Sequence, residues 1–205
     1  MKYLVLACVV LAACQDNVST PFPPGLEPFE DNPIAAMPDG PFVEGLRMKS
    51  SDNDFIRVYA RGFVTVPFDE MWAATKSPTP NISSCQTSES TFVENNEPQY
   101  EYSFLLHYIV HDILTVQWDD QWRFGRIDPE LGMIKHQKVE GSDFIDRSEG
   151  TIQVLATADP GVTELVFVEH LEAVSAGTDQ VEKGVRHNYD ALVATAHGTP
   201  IPPCP

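Results

Sequence analysis

The chain has 205 residues, of which 42% are hydrophobic, and this is enough for one folded domain with a substantial core. Asp and Glu outnumber Lys and Arg by 30 to 13, which gives a formal net charge of -17. A charge of this sign and size repels phosphate backbones and anionic headgroups, so the composition argues against nucleic acid as a partner.

The N-terminal stretch MKYLVLACVVLAAC predicts an export signal. One Lys precedes an apolar run, Leu4 to Ala13, that is too short to span a bilayer as a helix. The last four residues of the stretch, LAAC, resemble the lipobox of bacterial lipoproteins, in which the signal is cleaved before the Cys and that Cys is lipidated. The resemblance implies that residues 1–13 are a signal peptide and that Cys14 is the lipidation site.

The same resemblance implies a bacterial cell envelope location. The sorting position after Cys14 is Gln15, which by the enterobacterial rule directs a lipoprotein to the outer membrane, facing the periplasm or the cell surface. Residues 14–50 then read as a tether, because six Pro between positions 21 and 38 alternate with acidic residues, a composition that favours extended, poorly packed chain. We expect the folded domain over residues 51–198 and a C-terminal tail over residues 199–205.

The four cysteines divide between these segments. Cys8 leaves with the signal and Cys14 carries lipid, so Cys85 and Cys204 remain in an oxidising compartment. We expect a disulfide between them that fixes the C-terminal tail to a long loop; the alternative is two unpaired thiols. No metal site is predicted, because neither Cys has a second Cys or a His at close ligand spacing.

Alternating apolar residues predict a strand at 54–66, and Pro67 ends it. Asp69 and Glu70 favour the first turn of a short helix that stops before the Pro-rich stretch at residue 77. Later strands are predicted at 90–95, 132–139, 149–157 and 162–173, and apolar residues at helical spacing predict a long amphipathic helix over 178–197.

The centre of the predicted fold is a hairpin of two long strands, 100–110 and 114–124. Residues of one parity are apolar and largely aromatic in both strands, so that one face of the hairpin suits an interior. A face this rich in rings needs a helix or a ligand to cover it. The predicted ligand-binding residues are Tyr102, Phe104, Tyr108, Trp118, Trp122 and Phe124.

Three stretches resemble the START-like superfamily, also called SRPBCC: VTVPFDEMW at a strand-to-helix corner, GVTELVFVEHLEA as the last strand, and NYDALVATAHG at the end of the terminal helix. The resemblance implies an α+β helix-grip fold, in which a curved antiparallel β-sheet wraps around a long C-terminal α-helix. The family includes lipid-transfer domains and polyketide cyclases and dehydratases, united by a cavity between sheet and helix. The resemblance implies that the partner is a hydrophobic or amphipathic small molecule or lipid, and it implies no cofactor.

Two alternatives to a binding protein remain open. A cyclase-like or dehydratase-like enzyme needs an acid and a base in the cavity, for which Asp120 and His136 are the candidates. An envelope interaction protein would have a filled core instead. For Asp120 we favour an orientation toward solvent, through a bulge at Asp119 and Asp120, or a pairing with Arg123 or Arg126.

The remaining histidines leave further questions open. Whether His136, Glu169 or His170 faces inward depends on a strand register that the sequence does not fix. His107 and His111 stand four residues apart, but a strand and a turn at His111 separate them, so this spacing predicts no metal site.

Overall fold

The computed structural model describes residues 16–82, 85, 87–111 and 114–204, so the predicted signal peptide and Cys14 lie outside the described residues. All its strand pairings are antiparallel and join nine strands into one sheet. The strands are β1 (Asn17–Ser19), β2 (Gly45–Asp52), β3 (Ile56–Val64), β4 (Glu89–Glu94), β5 (Tyr102–His111), β6 (Thr115–Asp128), β7 (Leu131–Ser142), β8 (Ile145–Ala156) and β9 (Thr163–Ala173). The helices are α1 (Phe68–Thr75), α2 (Pro78–Ile82) and α3 (Thr178–Ala196).

The strand order is β2-β3-β9-β8-β7-β6-β5-β4, and β1 pairs with the end of β7 that β8 leaves free. The sheet is curved, and α3 lies across its inner face, with contacts to β2, β3, β9 and α1. Its buried apolar residues recur at helical spacing and join the core: Val181, Val185, Tyr189 and Leu192. The predicted α+β helix-grip fold is therefore confirmed. Within the described part of the chain no helix has the length and hydropathy of a membrane span.

The folded unit begins earlier than residue 51, and the segment interpreted as a tether is packed. β2 pairs along its whole length with β3. After β1, residues 20–44 cross the outer face of the sheet, where the side-chain amide of Asn32 donates to the carbonyl oxygens of Ala60 and Phe167 at 3.0 and 2.9 Å. The guanidinium of Arg123 lies 3.8 Å from the ring of Phe22 and donates to its carbonyl oxygen. Pro-rich chain is extended here, as composition predicts, but polar side chains of the sheet hold it in place.

A disulfide joins Cys85 to Cys204, the pair that the sequence predicts, with their Cα atoms 5.4 Å apart. It connects the loop after α2 to the C-terminal tail across 119 residues of sequence. The buried His187 of α3 lies beside it, and the ligand atoms of His187 and the two cysteines fall within 4.8 Å of one another. Because the two sulfur atoms are bonded to each other, neither is a thiolate ligand in this state.

We expect reduction of this disulfide to lower the free energy of unfolding by about 2–4 kcal/mol, and by less if the tail stays docked, because the bond removes chain entropy from the unfolded state. Urea unfolding with and without a phosphine reductant measures the change. The Cys85→Ser/Cys204→Ser variant should unfold like the reduced wild type and ignore the reductant. Two freely alkylated thiols in the native, unreduced protein would contradict the prediction.

Candidate functional site

The six aromatic residues predicted to bind a ligand all lie on the inner face of β5 and β6. In the register of this hairpin Phe104 faces Trp122, and Tyr108 faces Trp118. The rings of Phe104 and Trp122 are stacked with centroids 5.8 Å apart, and those of Tyr108 and Trp118 are 5.2 Å apart. Phe104 and Phe124 are fully buried, Tyr108 and Trp122 nearly so, and Tyr102 and Trp118 half-buried. The alternation of the sequence therefore places them as predicted, while ligand binding by them stays a prediction.

Helix α1 covers the apolar half of this inner face. Met71 and Trp72 have no exposed surface, and the ring of Trp72 lies 6.5 Å from that of Phe124. A Cβ atom on Gly132 would lie 2.5 Å from two atoms of the Trp72 ring, so this position of β7 has room for no side chain. Between α1, α3 and the hairpin the described side chains pack as a continuous core.

A polar cluster interrupts this core where β6, β7, β8 and β9 lie side by side. His136 is placed between two carboxylates: its Nε2 lies 3.1 Å from Oε2 of Glu169, and its Nδ1 lies 3.8 Å from Oδ2 of Asp120. The hydroxyl of Ser148 donates to the same Asp120 oxygen at 3.3 Å. Asp120 and His136 are 3% and 5% exposed, whereas about a quarter of the Glu169 side chain reaches solvent.

Strand pairing brings these residues together, and a glycine makes room for them. His136 pairs with Gly150 across β7 and β8, and Gly150 pairs with Glu169 across β8 and β9. A Cβ atom on Gly150 would collide with Oε2 of Glu169 and with Nε2 of His136. The absence of a side chain at residue 150 is thus what lets His136 and Glu169 meet over β8.

The orientation favoured for Asp120 was wrong. A bulge does lie between Asp119 and Asp120, but the extra residue is Val139 on β7, and the pairing of β6 with β5 is unbroken. Asp120 therefore keeps its inward parity, and Asp119 faces the other side, where Oδ1 lies 2.6 Å from Nδ1 of His107. The proposed arginine partners are engaged elsewhere, because Arg123 pairs with Glu97 and Arg126 pairs with Asp69.

The electrostatics of the cluster follow from burial and from the two carboxylates. Burial alone would lower the pKa of His136, but the charges of Glu169 and Asp120 outweigh it and raise this pKa to about 10. Burial raises the pKa of Asp120, although His136 and Ser148 oppose that shift. Burial also raises the pKa of Tyr108 well above 10, with Asp120 and Glu169 adding to the effect. The His136 ring is therefore an imidazolium at neutral pH.

Four buried polar atoms on this face have no hydrogen-bond partner among the described residues: Trp118 Nε1, Asp120 Oδ1, Trp122 Nε1 and His136 Nδ1. The ring of Trp122 stacks on that of His136 at a centroid distance of 4.2 Å, so at least three of these atoms belong to one contiguous group of side chains. Buried polar groups are paired in most native structures, and an exception calls for an explanation such as a bound molecule.

The other candidate histidines lie on the outer face of the sheet. His170 is on the outer face, where Nε2 lies 2.6 Å from Glu30 and Nδ1 lies 3.0 Å from Glu149. His107 and His111 contact different carboxylates, Asp119 and Glu89. Their separation by strand geometry is as predicted.

The sequence identified Asp120, His136 and Glu169 as candidates but did not show that their side chains lie together. Ser148 and Gly150 were not identified. Once the β6–β7 bulge is known, counting parity across the turns places all five on one face. Two surface clefts of about 400 and 250 Å³ lie elsewhere. The first is lined by residues that include Asp16 and Thr115, the second by residues of α3 and β2.

This architecture is that of START-like, helix-grip proteins. The chain is similar to a STAR-related lipid transfer protein fragment from Xanthomonas axonopodis, with 8% identity and a TM-score of 0.52 over 76% of this chain and 93% of that one. It is also similar to human StAR-related lipid transfer protein 5, with 10% identity and a TM-score of 0.51 over 75% and 81%. A third similar structure is the Zhui aromatase/cyclase from a Streptomyces species, with 16% identity and a TM-score of 0.49 over 75% and 94%.

These likenesses show the fold alone, since identity is so low. No protein-family model matches the chain, and no curated protein sequence matches it.

Proposed function

We propose that this protein is a lipid-anchored envelope protein whose START-like domain binds a hydrophobic or amphipathic small molecule on the inner face of the sheet, at the polar cluster beside the core that α1, α3 and the hairpin form. The observation that carries the proposal is the group of unpaired polar atoms of Asp120, Trp122 and His136 within an otherwise apolar interior. An apolar site with a few convergent polar groups is the usual form of a small-molecule pocket. The similar proteins named for lipid transfer support the same class of ligand.

Native mass spectrometry with lipid extraction, on protein purified from its own host, tests the binding. We expect a hydrophobic compound to co-purify and tryptophan fluorescence to shift when it is removed, because Trp118 and Trp122 lie on the inner face. The absence of a co-purifying compound, together with no binding by any member of a panel of hydrophobic compounds, would favour an interaction protein with a filled core. Substrate turnover that Asp120→Asn abolishes and Asp119→Asn preserves would favour an enzyme.

The lipid anchor at Cys14 is supported by the lipobox-like stretch LAAC and by the position of the first strand. β1 begins at Asn17, three residues after Cys14, and three extended residues span at most about 11 Å. A lipidated Cys14 would thus hold the end of the sheet that carries β1 close to the bilayer, rather than at the distance a long tether would give. The same end of the sheet exposes Val18, Leu114 and Val174.

We expect Cys14→Ser to move the protein out of the detergent-extracted membrane fraction and to leave it uncleaved or without lipid, since stable anchoring takes more than one acyl chain. Fractionation with immunodetection, and mass measurement of the N-terminal peptide, follow the change. Cys8→Ser is the matched control, because Cys8 lies inside the predicted signal and should not affect lipidation. Unchanged membrane partitioning of Cys14→Ser would remove the lipoprotein proposal.

A further inference from the structure

We propose that the ligand of this interior is a neutral amphiphile whose hydroxyl group binds at Asp120 and Trp122, and not a fatty acid, a phospholipid or an amine. The inference rests on the proposed function and narrows its ligand to one chemical class. The choice of this ligand class follows from two properties of the polar cluster. Its charged groups are already paired with one another, and some of its buried polar atoms have no hydrogen-bond partner.

The charges argue against an anionic head group. His136 lies between Asp120 and Glu169, and its positive charge is shared by both carboxylates. The other buried cation on this face, Lys138, donates to the carbonyl oxygens of Ser142 and Ile145. Among the described residues of the cluster, no cation is therefore left to pair with a carboxylate or phosphate. Burying an unpaired anion beside two carboxylates is strongly unfavourable.

The leftover hydrogen-bonding atoms argue for a group that both donates and accepts. Asp120 Oδ1 is an acceptor, and the indole Nε1 of Trp122 is a donor only; both are buried without a partner. An ammonium group has donors but no acceptor, so it would leave the indole N–H unpaired. A hydroxyl group can donate to Asp120 and accept from Trp122, and an alcohol or phenol carries no charge to bury.

Asp120 and Trp122 are neighbouring side chains on the inner face of β6. Residues 120 and 122 point to the same side of β6, and next-but-one residues of a strand lie about 6.6–6.8 Å apart. The His136 ring, stacked on Trp122 and 3.8 Å from Asp120, closes the cluster from β7. The apolar part of the ligand would continue along Tyr108 and Trp118 toward the end of the sheet.

Isothermal titration calorimetry of the full-length protein, with 1-decanol, decanoate and decylammonium as matched probes, tests the ligand class. We expect decanol to bind about tenfold or more tightly than either charged probe, the difference that one poorly paired buried charge makes. Tighter binding of decanoate or decylammonium would overturn the ligand class and leave the proposed function standing. If none of the three probes binds, the ligand class proposed here fails, whereas the proposed function is decided by the co-purification experiment and the wider panel.

Variants of the polar cluster test whether its side chains cause the preference for decanol over the charged probes. Asp120→Asn removes a negative charge and should narrow the preference for decanol over decanoate. Asp119→Asn changes the same residue type on the opposite face, beside His107, and should leave the preference unchanged. Trp122→Phe keeps an aromatic ring on this face but removes the indole N–H together with part of the ring system, so that it should weaken decanol binding several-fold even if Asp120→Asn does not fold. An unchanged preference in both Asp120→Asn and Trp122→Phe would overturn the assignment to these residues.

Discussion

Replacing Trp72 with Ala should lower the free energy of unfolding by about 3–5 kcal/mol, the range for truncating a large buried aromatic side chain. Trp72 has no exposed surface, packs near Phe124 and over Gly132, and directs its indole N–H to the carboxylate of Glu101 at 3.2 Å. Truncation removes these contacts and leaves a cavity under α1. Urea unfolding followed by far-ultraviolet circular dichroism gives the change.

Trp118→Ala is the matched control, because Trp118 is the same residue type on the inner face but is half-buried. We expect a smaller loss of stability there. Equal losses in the two variants would mean that Trp72 is not a principal filler of the core.

The Trp72→Ala variant also makes a prediction about ligand binding, because an apolar cavity of this kind stays dry and accepts small apolar molecules. It should therefore bind 1-decanol at least as well as the wild type does.

Strands β3 to β9 and helix α3 were predictable because their periodicities are strong, whereas β1, β2 and α2 were not predicted. The alternation of rings in β5 and β6 fixes which side of the hairpin is buried, and the spacing of Val181, Val185 and Tyr189 fixes the inner stripe of α3. Boundaries differ by up to four residues, at β8, which begins at Ile145 and not at 149, and at β6, which ends at Asp128 and not at 124. The C-terminal helix ends at Ala196, one residue before the predicted end.

The packing of residues 16–44 could not be predicted, because it depends on partners far away in sequence. Pro-rich, acidic composition indicates extended chain but does not say whether a surface receives it. That surface is built by residues such as Arg123 and Gln137, about 100 positions later, whose side chains donate to backbone carbonyls of the segment. Similarly, Asp120 points inward because the extra residue of the bulge lies on β7 and not on β6. A single sequence does not reveal which of two paired strands carries a bulge.

His136→Gln should destabilise the domain by about 3–5 kcal/mol near neutral pH, the range for removing one partner of a buried ion pair. Without the imidazolium, Asp120 and Glu169 would face each other's charge with Ser148 as the remaining donor to Asp120. Solvent reaches Glu169, which screens part of the repulsion and places the expected loss toward the lower end of this range. Urea unfolding at pH 7 measures it, with His111→Gln, at the exposed end of β5, as the control.

The same side chain should give the wild type a characteristic pH dependence. The pKa of His136 is raised in the folded state to about 10, above its ordinary value of 6.5. Protonated His136 therefore stabilises the folded state fully below about pH 6.5. This stabilisation is lost as the pH rises toward 10, because the unfolded chain releases the proton near pH 6.5 and the folded state releases it only near pH 10. The stability difference between wild type and His136→Gln should accordingly shrink from pH 6 to pH 10. A difference that stays constant over this range would contradict a protonated His136 between the two carboxylates.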